Sequence, residues 1–342
     1  MAGPVTLSDV ARAAGVSLAT ASRAINGSPT RTVGPELRER VLAAAARLRY
    51  SPDANAQAMA RGRTTSVGLV VHDIADPYFS TIARGVAHAA GRAGLQVILA
   101  STEQDPSREV DIVGLLQRQR ARAIVLAGSR YDDEGATTVL RTALAEYVAS
   151  GGAAAVVGQP VLGTDAVRIA NAEGARALAR ALHERGYRDV AVLGGPEHHL
   201  TARERREAFT AELATLGTPV PDELVLTGAF DHEGGEEAMT RLLASGARPQ
   251  LVVAVNDVMA LGALAALRAA GRVVPDDLAL AGFGDITTLR DVVPGLTTVR
   301  IPLEEVGVAA MRLVLEPGGG DAPNVVDVPT EVVLRESTPP RG

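Results

Sequence analysis

Neither cysteine nor lysine occurs anywhere in the 342 residues. The missing cysteine removes thiol nucleophiles, disulfides and Cys-ligated zinc. The missing lysine removes Schiff-base chemistry and the lysine of a phosphate-binding loop. All 34 basic residues are arginine, a bias that GC-rich coding ordinarily produces. Aromatic residues make up only 3%, so alanine, valine and leucine must fill whatever core the 46% apolar content builds. No apolar run approaches the ~20 residues of a membrane span. Met1-Ala2-Gly3-Pro4 lacks the basic-then-apolar pattern of a secretory signal. A cytoplasmic protein of two or three folded units is expected.

The overall charge of −6 is unevenly distributed. Residues 1–63 carry nine arginines against Asp9, Glu36, Glu39 and Asp53, while the remainder is strongly acidic. A basic head on an acidic body points to a polyanionic partner for the head alone.

Thr6-Leu7-Ser8-Asp9 reads as a helix start in which Thr6 caps and Asp9 returns the bond. This helix runs through Val10, Ala11 and Ala14 and stops at Gly15. Ser17 caps a second, from Leu18 to about Asn26, and Gly34-Pro35-Glu36 opens a third with the stripe Leu37, Val41, Ala44 and Leu48. Two short helices joined by a Gly-containing turn are helix-turn-helix chemistry. The second helix is expected in the major groove, with Leu18, Ala19 and Ser22 outward and Arg23 a turn further on. Arg23 can pair bidentately with guanine, whereas Leu18 and Ala19 can only meet thymine methyls. Thr20, Ser22 and Asn26 can hold phosphates or the turn. An amphipathic three-helix surface with solvated arginines is the bland alternative.

These residues resemble the lactose repressor (LacI/GalR) family of bacterial transcriptional regulators. The resemblance is carried by Val5-Thr6-Leu7-Ser8-Asp9-Val10-Ala11, Ala14-Gly15-Val16-Ser17, Thr20-Ala21-Ser22-Arg23 and Asn26. It continues in Tyr50-Ser51-Pro52-Asp53-Ala54 and the hinge Ala56-Gln57-Ala58-Met59-Ala60, and ends at Leu334-Arg335-Glu336-Ser337-Thr338. It implies DNA contacts from Thr6, Ser17, Leu18, Ala19, Thr20, Ser22, Arg23, Asn26, Asn55, Ala56 and Met59. Some positions depart from the family pattern. The loop between Asn26 and Val41 is about two residues longer, Gly34 replaces the usual capping Ser, and Met59 replaces a minor-groove Leu. Residues 51–62 are too short and alanine-rich for a stable isolated helix, so the hinge is expected to fold on DNA.

From Thr65 onward, short apolar runs alternate with helical stretches. The runs include Val67–Val71, Gln96–Leu99, Ala123–Leu126, Ala155–Val157, Val190–Leu193, Leu251–Ala254 and Leu278–Ala281. Between them lie helices such as Tyr78–Ala93, Ala172–Arg185, Ala202–Leu216 and Val258–Ala270. Repeated βα units give parallel sheets flanked by helices. The expected fold is a small all-α head on a two-lobed α/β, periplasmic-binding-protein-like body. Its parts are a DNA-binding domain 1–50, a hinge 51–63 and an effector-binding and dimerisation domain 64–342. The lobes are expected at about 64–164 plus 297–326 and at 165–296 plus 327–338, the returns being implied by the resemblance.

Ligands of open α/β sheets sit off the carboxyl ends of the strands. That rule selects Asp73 and Tyr78, Arg203 and Arg205, Asn256 and Asp257, and Asp285. A sugar asks for carboxylate, amide and guanidinium partners plus an apolar face, which Arg205, Asn256, Asp285 and Phe230 can supply. By resemblance, Arg205 and Asn256 match the family's effector contacts and Phe230 its stacking aromatic. Structural duties are the ordinary alternatives: Asp257 as a helix cap, Asp73 and Asp76 serving the loop at Pro77, Arg203, Arg205 and Arg206 in surface ion pairs, and His198-His199 at the surface. Gly284 and Ala170 stand where the family commonly has carboxylates, which weakens the case for a standard neutral sugar.

No Gly-x-Ser-x-Gly elbow, phosphate loop or dinucleotide fingerprint is present, so no enzyme activity, cofactor or metal is expected. An exported transport protein would need a leader and no DNA head. The expected partners are a palindromic operator in double-stranded DNA, a small effector of carbohydrate type, and a second copy of the chain; no membrane is expected. A corepressor-dependent or ligand-independent regulator stays open beside the inducible one.

Overall fold

The computed structural model describes residues 5–27, 32–51, 63–318 and 322–341. The chain divides into two compact units, Met1–Thr65 and Ser66–Gly342.

The first unit is built from helices α1 (Leu7–Ala14), α2 (Leu18–Asn26) and α3 (Pro35–Arg47). Thr6 and Asp9 form a capping box: Thr6 Oγ1 accepts the Asp9 N–H at 3.4 Å and the Asp9 carboxylate accepts the Thr6 N–H at 3.0 Å. Gly15 ends α1 in the left-handed region at φ +66°, where a side chain would be strained. Ser17 caps α2 by accepting the Thr20 N–H. The core is small-residue packing of Val10, Ala11, Ala14, Ala21, Ala24, Val41, Ala44 and Ala45. Gly34 caps α3 without a side-chain bond.

In the second unit, strand β1 (Ser66–Val71) leads to α4 (Pro77–Arg92), β2 (Gln96–Ser101), α5 (Ser107–Arg118), β3 (Ala123–Ala127), α6 (Glu134–Ala149), β4 (Ala153–Val157) and β5 (Asp165–Ile169). The chain continues through α7 (Asn171–Glu184), β6 (Val190–Leu193), α8 (Leu200–Thr215), β7 (Val225–Leu226), α9 (His232–Ala244), β8 (Leu251–Ala254), α10 (Asp257–Ala269) and β9 (Ala279–Ala281). It closes with β10 (Thr298–Arg300), α11 (Leu303–Leu315), β11 (Val325–Val328) and β12 (Glu331–Val333). One sheet runs β11-β5-β4-β3-β1-β2 and another β7-β6-β8-β9, both wholly parallel. Central strands β3, β6 and β8 are buried along their whole length, as near-continuous Val, Leu and Ala runs demand. A short antiparallel pair, β10 with β12, lies where the chain passes between the lobes.

The expected lobe boundary is corrected. Asp165–Ile169 pairs in parallel with both β4 and β11, so it closes the first sheet instead of opening the second lobe. Likewise Asp327 and Val328 remain in the first sheet with Val325 and Val326. A five-residue strand that ends where the chain crosses over carries no local mark of the sheet it joins.

Helices α4 and α11 touch backbone to backbone. A Cβ on Gly85 would lie 2.0 Å from the Glu304 carbonyl oxygen, and one on Gly307 would lie 2.3 Å from that of Ile82. Both positions tolerate no side chain because the obstacle is main chain, which can yield only if a helix shifts. Gly307→Ala should therefore destabilise the body by about 1–3 kcal/mol. Urea unfolding of the pure protein measures this, and an unchanged midpoint would show that the helices separate freely.

Candidate functional site

A cavity of about 420 Å³ lies between the lobes, lined by the segments that follow β1, β3, β6, β8 and β9. These are the carboxyl ends of parallel strands, where the loops diverge and leave room for a ligand. Asp73, Tyr78, Arg205, Phe230 and Asn256 all line it.

Arg205 is buried at 4% exposure and held in three ways. Its Nε donates to Asn171 Oδ1 at 2.9 Å, an Nη donates to the Val255 carbonyl at 2.8 Å, and the guanidinium sits 4.0 Å over the Phe283 ring. Burial pulls its pKa down to about 10, so it stays charged. It is therefore no surface ion pair, unlike Arg203, which pairs with Asp132 at 2.6 Å. Asn256 spends its Oδ1 as the cap of α10, accepting the Met259 N–H at 2.7 Å, and its Nδ2 on the Phe230 carbonyl at 3.0 Å. The cap expected of Asp257 thus belongs to Asn256. Asp257 accepts instead from Thr298 Oγ1 at 2.7 Å and the Ile286 N–H at 3.0 Å. Tyr78 lies beside this group, with burial lifting its hydroxyl to about 12.

Asp73 and Asp76 serve the loop at Pro77, accepting from the Ala75 and Tyr78 N–H groups. Burial raises the Asp76 carboxyl to about 6. Asp285 is a correction: it does not line the cavity. Its carboxylate pairs with Arg300 at 2.8 Å and Arg335 at 2.6 Å, so two guanidiniums hold it on the far side of its loop. Gly284 precedes it at φ +142°, a conformation that favours glycine.

Several cavity residues went unassigned in the sequence. His72 directly follows β1, and Tyr131 follows β3. His199, expected at the surface, is buried at 4% exposure. It caps α8 with Nδ1 accepting the Ala202 N–H at 3.2 Å, which puts the ring proton on Nε2. Its ring lies 4.3 Å from that of Phe230. Burial, reinforced by the neighbouring His72, Arg205, His198 and Arg130, drives its pKa down to about 3, so the imidazole is neutral. Strand-end position could have flagged His72 and Tyr131; nothing local marks His199.

The lobes are also joined directly. Tyr131 and His199 form an antiparallel bridge, with the Asp132 N–H donating to the His198 carbonyl at 2.8 Å and the Leu200 N–H to that of Arg130 at 2.9 Å. Arg130 is clamped from behind by Glu109 through two bonds of 2.7 Å. Burial alone would raise Glu109, but bonds from His72 and Arg130 outweigh it and hold the carboxyl at about 2.

In the head, Leu18 is 51% exposed and Ala19 is exposed beside it. Thr6 and Ser17 spend their hydroxyls on caps, Thr20 pairs with Ser17 Oγ at 2.8 Å, and Asn26 donates to Ser22 at 3.3 Å. Arg23 is half-buried, its Nε folded onto the Ala19 carbonyl at 3.0 Å. Asn55, Ala56 and Met59 lie outside the described residues. Among the described residues no group of His, Asp or Glu is arranged to hold a metal, and no helix is long and apolar enough to cross a membrane.

Burial raises the Asp257 carboxyl to about 6, above its ordinary value near 4. The folded state then binds this proton more tightly than the unfolded state. The associated stability is present below pH ~4 and is lost as pH rises through ~6. Asp257→Asn can keep both bonds, since the Thr298 hydroxyl can accept as well as donate. Its stability relative to the parent should rise by roughly 2–3 kcal/mol between pH 4 and 7, as two pKa units require. Melting curves across that range test this; parallel curves would mean that Asp257 titrates normally.

Comparison with known proteins adds relatives to this geometry. Residues 6–53 match the profile of bacterial regulatory proteins of the lacI family, and residues 179–338 match a periplasmic binding protein-like domain. The HTH-type transcriptional regulator DegA of Bacillus subtilis (strain 168) is 30% identical over 98% of both chains. The HTH-type transcriptional repressor PurR of Mannheimia succiniciproducens is 31% identical over 97% of this chain and 98% of its own. Among solved structures, the complex of the transcriptional regulator CelR with cellobiose superposes with a TM-score of 0.71 at 32% identity, covering 97% of this chain and 99% of that one.

Proposed function

The chain belongs to the lacI family of bacterial regulatory proteins, and on that premise we propose that it is a DNA-binding transcriptional repressor whose operator affinity is set by a small molecule in the interlobe cavity. The observation that carries this reading is the pairing, in one chain, of a helix-turn-helix head with a cavity at the carboxyl ends of two parallel sheets. The exposed start of α2, from Leu18 through Ala19 to Ser22 and Arg23, enters the major groove. Arg23 must unfold its side chain from the Ala19 carbonyl to reach a base edge. The hinge residues Asn55, Ala56 and Met59 enter the minor groove. A carbohydrate is the effector class, stacking on Phe230 and bonded by Arg205 and Asn256, as the cellobiose complex of a relative supports.

The protein acts as a homodimer on a palindromic operator, since two heads read two half-sites. Edge strand β2 supports this by exposing Ile98 and Leu99 at 39% and 45%. Effector binding and operator binding are then coupled through the lobes and hinge, a reciprocal free energy between two sites. Gly284 and Ala170, where carboxylates are missing, favour a second reading in which the effector is of another class or the regulator acts without a ligand.

Arg23→Ala should relax selection at one G·C pair per half-site, by about 1–3 kcal/mol. Selection of operator sequences from a random pool with both proteins tests this; an equal loss on all sequences would make Arg23 a phosphate contact. A melting scan of the full chain against mono- and disaccharides, nucleobases and sugar phosphates tests the effector cleft. A ligand at ~100 times its Kd should add ~2.7 kcal/mol. Adding that compound to a DNA titration then gives the sign of the coupling. Silence across the panel would count against a carbohydrate.

A further inference from the structure

Four phenylalanines and five tyrosines are the only Phe, Tyr or Trp residues in the chain, and Tyr78, Phe79, Tyr131, Phe230 and Phe283 all line the interlobe cavity. A chain this poor in aromatic rings has gathered most of them around a single space. The same wall carries five carboxylates, those of Asp73, Asp76, Asp231, Glu233 and Asp257. Among the described residues none of the five takes part in an ion pair. Asp73, Asp76 and Asp231 each spend Oδ1 on a backbone N–H and leave Oδ2 without a partner among the described residues. The Glu233 side chain forms no hydrogen bond to the described residues.

Among the described residues Arg205 is the only arginine on the wall, and it is held in place by Asn171, the Val255 carbonyl and the Phe283 ring. An anionic ligand would meet a wall rich in carboxyl groups and a single guanidinium. A neutral sugar would find stacking surfaces and could donate hydroxyl bonds to some of the carboxylates, but it would leave their charge unbalanced in a half-enclosed space. A ligand ammonium satisfies both features: it attracts the faces of the rings and forms charge-assisted bonds to the free carboxylate oxygens.

We infer that this cleft, read as the effector site above, takes an effector in which a protonated amine is borne on a hydroxylated ring, that is, an amino sugar. The hydroxyls face Arg205 and Asn256, the ring face lies on Phe230 and His199, and the amine turns to the carboxylates of Asp73, Asp76, Asp231 and Glu233.

The test uses the full chain with matched probes: glucose, glucosamine and glucose 6-phosphate, the corresponding galactose and mannose sets, and cellobiose beside the diamino disaccharide of chitosan. Calorimetric titration near pH 6.5, where the amines are charged, should give at least one amine a Kd about tenfold or more below that of its neutral twin, a preference of the size charge-assisted bonds supply. Glu233→Gln breaks no protein hydrogen bond. It should reduce that preference several-fold, lowering the affinity of the amine more than that of its neutral twin. Equal or tighter binding of a neutral or phosphorylated member overturns the amine and leaves the effector cleft standing. Failure of every probe, in protein that still binds its selected operator, also overturns the amine. Failure to select any operator is a different result and strikes the regulator reading itself.

Discussion

The floor of the cleft depends on where one guanidinium is held. Arg205 projects from α8 into a site with almost no solvent, where an unpaired charge would be untenable. It is stabilised by an amide at the start of α7, a carbonyl at the end of β8 and an aromatic face from the loop after β9. Those three supports come from three segments far apart in the chain, the start of α7, the end of β8 and the loop after β9. Each can be in place only when the sheet is correctly assembled, so the charge and the fold specify one another. Asn171 extends the network, since its Nδ2 donates to Glu204 at 3.2 Å, and Glu204 in turn accepts from Gln159 of the first lobe at 3.3 Å.

The second lobe is thereby tied to the first by polar contacts of definite geometry. The bridge between Tyr131 and His199 satisfies backbone groups that would otherwise face the cavity. The Glu109–Arg130 pair behind it is buried, and breaking such a pair leaves an uncompensated charge. The rings of Tyr131, His199 and Phe230 line the cavity, and Tyr131 and His199 also carry the bridge. The cavity wall and the bridge between the lobes therefore share atoms, which is a physical basis for coupling occupancy to lobe geometry.

Much of this was legible along the chain. The head could be read because its signals are local. Thr6 and Asp9, Gly15 and Ser17 act within three residues of where they stand, and the structure uses them for those caps and that turn. The parallel sheets could be read because buried strands are uninterrupted apolar runs. The strand-end rule brought Asp73, Tyr78, Arg205, Asn256 and Asp257 to one cavity, and Phe230, implied by the resemblance, lines it with them. It failed for Asp285, which shares the strand-end position but meets Arg300 and Arg335. Those arginines lie 15 and 50 residues further along the chain, and no local pattern announces them.

Composition, charge asymmetry, caps and periodicity thus determined the kind of protein: a basic helical reader and an acidic two-lobed body, with ligand chemistry at the strand ends. These follow from interactions within a few residues, or from averages over many. Tertiary structure alone decided which carboxylates stay free, which arginine is buried, that His199 is a neutral wall residue, and that Asp165–Ile169 belongs to the first sheet. The reason is that burial and pairing are properties of neighbours in space. Side chains of one type, such as Asp257 and Asp285, take opposite roles once one is enclosed between Thr298 and Ile286 and the other is drawn to two guanidiniums.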